Sequence, residues 1–197
     1  LSQADLLTAL EKTAHQAQRA GQIIQRIRSF VKRSEPNRTQ ADIATMVAEA
    51  VELAGIELRR RQVRLNQIVP SRLPTVHVDP ILIEQVLVNL MKNAAESIDN
   101  AQRPSTQRQV ELRVHQEKEE GQNVVMFSVS DSGPGLAPEV LEHLFEAFYS
   151  TKSEGMGIGL NLCRSIVESH QGRMRAENLY NGEQITGCRF SFWIPAR

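Results

Sequence analysis

The stretch Asp79-Pro80-Ile81-Leu82-Ile83-Glu84-Gln85-Val86-Leu87-Val88-Asn89-Leu90-Met91-Lys92-Asn93-Ala94-Ala95 decides how the rest of the chain is read. Its apolar residues recur at helical spacing as far as about Ile98. Asp79 is placed to cap the first free N–H groups, and Pro80 falls at the first helical position, where its missing N–H costs nothing. The spacing therefore predicts an amphipathic helix. Asn89 and Asn93 stand out within it, because asparagine is a poor helix former. Being four residues apart, they place both amides on one face with Lys92 beside them. Such amides either hydrogen-bond to neighbouring loops or serve a ligand. A neutral amide oxygen can complete the shell of a Mg2+ that already carries triphosphate charge, without adding like-charge repulsion.

Toward the N-terminus, 42–61 has helical spacing and 63–69 alternates like a strand. Residues 6–31 carry two interleaved seven-residue series, Leu10, Ala17, Ile24, Val31 and Leu6, Thr13, Ala20, Ile27. They predict a heptad helix suited to packing in a multi-helix bundle. The polar, proline-containing stretch 32–38 ends that period, and a domain boundary is expected there. Toward the C-terminus, strand-like runs at 109–115 and 123–130 flank a polar turn at 117–122. A glycine-rich block follows, then two short helical runs, a helix at about 157–170, and strands near 173–179 and 188–194. Strands paired by hairpins, with helices between them, indicate an α+β sandwich whose helices cover one sheet face.

Bulk properties narrow the function classes. A chain of 197 residues that is 41% hydrophobic can fill one real core. Its 23 Lys and Arg balance its 23 Asp and Glu, so no global field points to nucleic acid, an anionic membrane surface or a strongly acidic partner. The two cysteines, Cys163 and Cys188, lack Cys-x-x-Cys spacing, which argues against a disulfide scaffold or a thiolate zinc site and fits a reducing cytoplasm. No apolar run approaches the ~18 to 20 residues of a membrane span. The expectation is a soluble, cytoplasmic piece whose parent can be anchored elsewhere.

Three further blocks carry chemistry. Asp131-Ser132-Gly133-Pro134-Gly135 follows an apolar strand. A carboxylate there can accept the exocyclic amine of adenine while the glycines let backbone approach the ring; alone, the block is equally a common turn. Leu144-Phe145-Glu146-Ala147-Phe148-Tyr149-Ser150-Thr151-Lys152 concentrates aromatics in a chain with few of them, and Phe145 and Phe148 also suit a core. Gly155-Met156-Gly157-Ile158-Gly159-Leu160 opens a helix, where free N–H groups and the helix dipole favour phosphate. Its G-x-G-x-G spacing lacks the preceding buried strand of a dinucleotide fold, and no Gly-Lys-Ser/Thr follows to make a Walker-type loop.

The order and separation of these blocks resemble the sensor histidine kinases of two-component systems, which share their ATP-binding fold with gyrase-, Hsp90- and MutL-type ATPases. Asn89 to Ala94 matches the N box, Asp131 to Gly135 the G1 box, Phe145 to Phe148 the F box and Gly155 to Leu160 the G2 box. The resemblance implies a Bergerat-type two-layer α/β sandwich, a mixed, mostly antiparallel sheet under three helices, with the N-terminal heptad helix ahead of it. It makes 36–197 the catalytic ATP-binding domain and 1–35 the second helix of a dimerisation hairpin, with 6–31 able to pair two chains. It implies ATP and Mg2+, with Asn93 as metal ligand, Asn89 near the phosphates, Asp131 on the adenine amine, and Gly133 and Gly135 shaping the base pocket. Phosphates would meet Gly155, Gly157, Ile158, Gly159 and Leu160, with Lys92, Thr151 and Lys152 as further contacts; Phe145 lines the pocket, and 149–156 forms a short lid. Asn89, Asn93 and Lys152 are the expected catalytic set.

Hydrolytic relatives of that fold carry a glutamate four residues before the magnesium asparagine, where this chain has Asn89. An amide cannot take a proton from water, so transfer to a histidine, and onward to a response regulator, is expected over hydrolysis or a purely nucleotide-responsive binding module. The family's acceptor histidine sits in a His-Glu/Asp-x-x-x-Pro/Thr context. His15 is followed by Gln16, Ala17, Gln18, Arg19 and Ala20 and does not match. The acceptor is expected outside this sequence.

Overall fold

The computed structural model describes residues 13–14, 36–147, 149 and 157–196. The chain divides into two units, Leu1–Glu35 and Pro36–Arg197. In the first, only the helical pair Thr13 and Ala14 is described, so the heptad series over 6–31 and His15 lie outside the described residues. The second unit runs through β1 (Thr39–Ala41), α1 (Ile43–Arg60), β2 (Arg64–Ile68), β3 (Val76–Val78) and α2 (Pro80–Asn100). It continues with β4 (Gln109–Glu119), β5 (Gln122–Asp131), α3 (Pro138–His143), α4 (Gly159–Ser169), β6 (Arg173–Asn181) and β7 (Gln184–Pro195). No helix among the described residues is long and apolar enough to cross a membrane.

Local chemistry explains where the long helices start. Asp42 accepts the Thr45 N–H at 2.8 Å ahead of α1, and Asp79 Oδ1 accepts that of Leu82 at 3.3 Å with Pro80 at the first turn of α2. The β4–β5 hairpin is tighter than its polarity suggested. Glu119 pairs with Gln122, leaving Glu120 (φ 51°) and Gly121 (φ 84°) as a two-residue turn with both residues left-handed. The polar residues 117–119 are thus strand, not turn: pairing with β5 holds them extended although little covers them.

The five main strands are ordered β2-β4-β5-β7-β6. Only β2 against β4 is parallel, which requires a long crossover, and α2 supplies it. β1 and β3 pair separately as a short antiparallel ribbon; three residues apiece are too few to show a period in the sequence. One core joins the helices to one sheet face. Ile43, Met46, Val47, Ala50, Ala54 and Leu58 of α1 and Ile83, Val86, Leu87, Leu90 and Met91 of α2 pack with Val110, Leu112 and Val114, with Val125, Phe127 and Val129, and with Phe190, Phe192 and Ile194. At its centre Phe127 and Phe192, opposite each other on β5 and β7, stack with centroids 4.8 Å apart and planes 7° from parallel.

A polar latch joins α4 to α2. His170, just beyond α4 and 3% exposed, accepts the Asp79 N–H on Nε2 at 3.0 Å and donates from Nδ1 to the Ile166 carbonyl at 2.8 Å. Both bonds require the neutral, Nδ1-protonated ring. Asp79 Oδ2 also accepts the Asn37 N–H at 3.0 Å, and Arg38 donates to the Ser169 carbonyl. Burial depresses the His170 pKa below its usual 6.5. Its contribution is therefore full above the unfolded value and is lost as pH falls through the folded one. We expect His170→Gln to cost about 1–2 kcal/mol at pH 7.5, with the gap to the parent narrowing toward pH 5 in urea unfolding; a gap independent of pH contradicts the latch.

Candidate functional site

The buried stripe of α2 leaves an adjoining stripe of Asn89, Asn93 and Ser97, one residue per turn and each half-buried. One end of it meets α4. Asn89 Nδ2 donates to Cys163 Sγ at 3.1 Å, and a Cβ added at Gly159 would come within 3.2 Å of the same amide nitrogen. The other end meets the loop after β5, where a Cβ at Gly133 would overlap the Ser97 hydroxyl. Asn93 lies one turn from each end. Lys92 is solvent-exposed beside the stripe.

Asp131 ends β5 in a row that crosses the sheet: Val110 on β4 pairs with Asp131, Asp131 with Cys188 on β7, and Cys188 with Asn178 on β6. The carboxylate is 5% exposed. Oδ1 accepts the Gly133 N–H at 2.8 Å, and the Cys188 N–H and Ser97 hydroxyl also hydrogen-bond it. Burial outweighs those three donors and raises its pKa to about 6. β7 passes so close that a Cβ at Gly187 would overlap the Asp131 carbonyl oxygen, so only glycine fits there. Beyond Gly133 the loop turns through Gly135, whose φ of +77° and contact with Ile185 likewise exclude a side chain. Ser132 ties the loop back to the start of β4, donating to the Gln107 carbonyl and accepting the Gln109 N–H.

The start of α4 is open in a different sense. Its N-cap position holds Ile158, which is buried and makes no side-chain cap, while Gly157 precedes it with φ +64°. An apolar residue is disfavoured at an N-cap; with no capping side chain at that position, the helix's first N–H groups and its dipole suit an anion. Gly159 and Leu160 form that first turn. Phe145 is fastened to the same helix: Asn161 Nδ2 donates to its carbonyl at 2.8 Å, and the Arg164 guanidinium lies 5.7 Å from its ring centre. Phe148, Thr151, Lys152 and Gly155 lie outside the described residues.

The structure thus gathers Asn89, Asn93, Asp131, Gly133, Gly135, Gly157, Ile158, Gly159 and Leu160 along one line, with a nearly dry carboxylate at one end, a helix N-terminus at the other and an amide between. Such a line suits a ligand with an amine-bearing flat group and an anionic tail. Among the described residues no cluster of three or more His, Cys, Asp or Glu could hold a metal; the Asn93 side chain is a neutral oxygen donor of the kind that can join ligand phosphates around Mg2+. Cys163 and Cys188 are both buried, and burial raises each thiol to about 12, so they are packing groups. A cavity of about 310 Å3 among Arg60, Arg61, Asp99 and Arg108 lies apart. Its arginines are engaged: Arg61 pairs with Glu57 and Asp99, and Arg108 with Asp99. Sequence reading missed Ser97, Asn161 and Asn178. Ser97 alone had a signal, as the next i+4 step after Asn89 and Asn93.

A family model described as histidine kinase-, DNA gyrase B-, and HSP90-like ATPase matches residues 78–197. The C4-dicarboxylate transport sensor protein DctS of Rhodobacter capsulatus is 42% identical over 169 residues, covering 86% of this chain and 25% of that protein. The sensor protein FixL of Bradyrhizobium diazoefficiens is 38% identical over 189 residues, 96% of this chain and 35% of that protein. The chain therefore spans only about a quarter to a third of these relatives. Full-length ShkA, crystallised with AMPPNP, superposes with a TM-score of 0.72 at 26% identity over 98% of this chain and 39% of that one. The nucleotide-free catalytic domain of the histidine kinase ThkA gives 0.64 at 28% identity over 81% of this chain and 96% of that one.

Ionised Asp131 costs the fold free energy above its raised pKa and nothing once protonated in both states. We expect Asp131→Asn to stabilise the protein by up to about 3 kcal/mol at pH 7.5, from the shift of 3.8 to about 6. The gain should fade toward pH 4 in urea unfolding. A stability difference between the two proteins that stays the same from pH 7.5 to pH 4 would contradict the buried-charge assignment.

Proposed function

The chain belongs to the histidine kinase-, DNA gyrase B- and HSP90-like ATPase family, and from that premise we propose that it is the catalytic part of a protein-histidine kinase that passes the γ-phosphoryl group of Mg-ATP to a histidine on a helical hairpin. Adenine occupies the Asp131 end. Its exocyclic amine donates to the carboxylate, which is largely ionised at neutral pH because its pKa is about 6, and Gly133 and Gly135 let the ring lie against backbone. The triphosphate runs along the Asn89 and Asn93 stripe toward the N–H groups at Gly159 and Leu160. Asn93 would hold Mg2+ together with the phosphates, and the ion would supply neutralisation of their charge. Lys92 and, outside the described residues, Lys152 and Thr151 are the further phosphate contacts.

One observation carries transfer over hydrolysis. Asn89 occupies the position where a hydrolytic site needs a carboxylate base, and its amide donates to Cys163 Sγ beside Gly159. With no group there to take a proton from water, the site favours an external nucleophile. An unprotonated imidazole nitrogen of the acceptor forms the N–P bond as the bond from phosphorus to the β–γ bridging oxygen breaks, leaving ADP, and the site contributes positioning and charge stabilisation. A response-regulator aspartate then receives the phosphoryl group.

With labelled ATP, the chain should phosphorylate an added hairpin bearing His-Glu/Asp-x-x-x-Pro/Thr and should not label itself. Asn93→Ala should lower that transfer by at least about 100-fold, as expected for loss of a group that acts on developing charge, and should abolish Mg2+-dependent nucleotide binding in calorimetry. Rapid ATP turnover without any acceptor would instead identify a hydrolase.

A further inference from the structure

The loop 132–136 leaves β5 at Asp131 and passes the first residues of β7, Ile185 and Gly187, before α3 begins. It has no strand partner, yet both backbone groups of Leu136 are satisfied by one side chain. Asn178 Oδ1 accepts the Leu136 N–H at 2.8 Å, and Asn178 Nδ2 donates to the Leu136 carbonyl at 2.7 Å. An amide facing a peptide in this way reproduces the paired bonds of an antiparallel ladder. Asn178 stands in the same cross-sheet row as Asp131, two strands away with Cys188 between them, or roughly 10 Å at ordinary strand spacing. The ladder of β6 on β7 slips immediately afterwards, between Leu179 and Tyr180, and such an irregularity re-aims neighbouring side chains.

We propose that Asn178 is a positioning residue for base recognition: by clamping Leu136 it holds the loop in the shape that presents Asp131 and Gly133 to adenine. The inference rests on the adenine reading of the Asp131 pocket. The connection is mechanical and short. Asn178 fixes Leu136, the adjacent Gly135 is wedged against Ile185 and Asn178, and the Gly133 N–H at the loop's other end orients Asp131 Oδ1. Without the clamp two polar groups of Leu136 seek water, the loop samples other shapes, and the carboxylate loses the one of its three hydrogen bonds that the loop supplies. Binding energy from the phosphates, which the proposed function places at Asn89 and the start of α4, is untouched. The clamp therefore serves selection of the base more than affinity for the triphosphate: guanine offers a carbonyl where adenine offers an amine and gains nothing from a well-aimed carboxylate.

The test compares the parent with Asn178→Ala and Asn178→Asp by calorimetric titration with Mg-ATP and Mg-GTP, alongside thermal unfolding and amide exchange at Leu136. The aspartate variant keeps volume and one acceptor but sets an oxygen against the Leu136 carbonyl, so a packing role would survive it and a clamp would not. We expect both variants to speed Leu136 exchange and to weaken ATP by about tenfold or more, while GTP changes by less than about threefold, so that the preference for ATP shrinks. Equal losses for both nucleotides, or an aspartate variant that behaves like the parent, overturn the proposal by reducing Asn178 to scaffold. Faster exchange at Leu136 with unchanged ATP preference also overturns it. A parent that binds ATP and GTP equally well shows instead that the adenine reading itself has failed.

Discussion

The seating of α2 governs this structure, because a single helix both fills the core and carries the polar stripe of the site. Ile83, Val86, Leu87, Leu90, Met91, Ala94, Ala95 and Ile98 are all buried against the sheet or its neighbouring helices. Since each residue advances roughly 100° around the axis, that set permits one roll angle. Asn89, Asn93 and Ser97 then face the gap between the start of α4 and the end of β5. Both ends of the helix are pinned as well. Asp79 caps the first turn while engaging His170 and the Asn37 N–H. At the far end Asp99 takes ion pairs from Arg61 at the close of α1 and Arg108 at the entry to β4. These bonds hold the helix along its axis, and the apolar stripe holds it in rotation.

Along the line of the site, several local rules are broken together. A carboxylate stays largely ionised at neutral pH in a nearly dry row, an isoleucine sits where a capping side chain belongs, and glycines replace side chains where backbone must close on backbone. Each departure costs stability when the protein is alone. Each is also complementary to part of a nucleotide: the carboxylate to an amine, the uncapped helix start to phosphate, the bare backbone to a flat ring. Concentration of unfavourable features where a ligand can offset them is what a binding site built into a stable scaffold requires.

The parts that were legible beforehand share one property: their cause is local. Asp79 before Pro80 announced the start of α2, and the apolar period of 81–98 its course. Asn89 and Asn93 were conspicuous as polar residues in an apolar helix, and Asp131 with its glycines marked the end of a strand. The β1–β3 ribbon was not legible, since three-residue strands exist only through each other. Nor was the true length of β4, where polar residues are held extended by a partner, nor the Asp99 bridge, whose two arginines lie 38 and 9 residues away in sequence.

By itself, then, the sequence determined the long helices and the cores of the main strands, which of their faces are apolar, and which residues carry the donors and acceptors a nucleotide would meet, because period, caps and side-chain chemistry act within a few residues. Only the tertiary structure decided which of those groups stand together and how charged they are. Asp131 has its raised pKa because β7 and α2 shut water away from it. Asn178, an unremarkable strand residue in the sequence, faces Leu136 only because β6 lies two strands from β5 in the folded sheet. Burial and long-range register are properties of the packed chain, and neither can be read from neighbours in sequence.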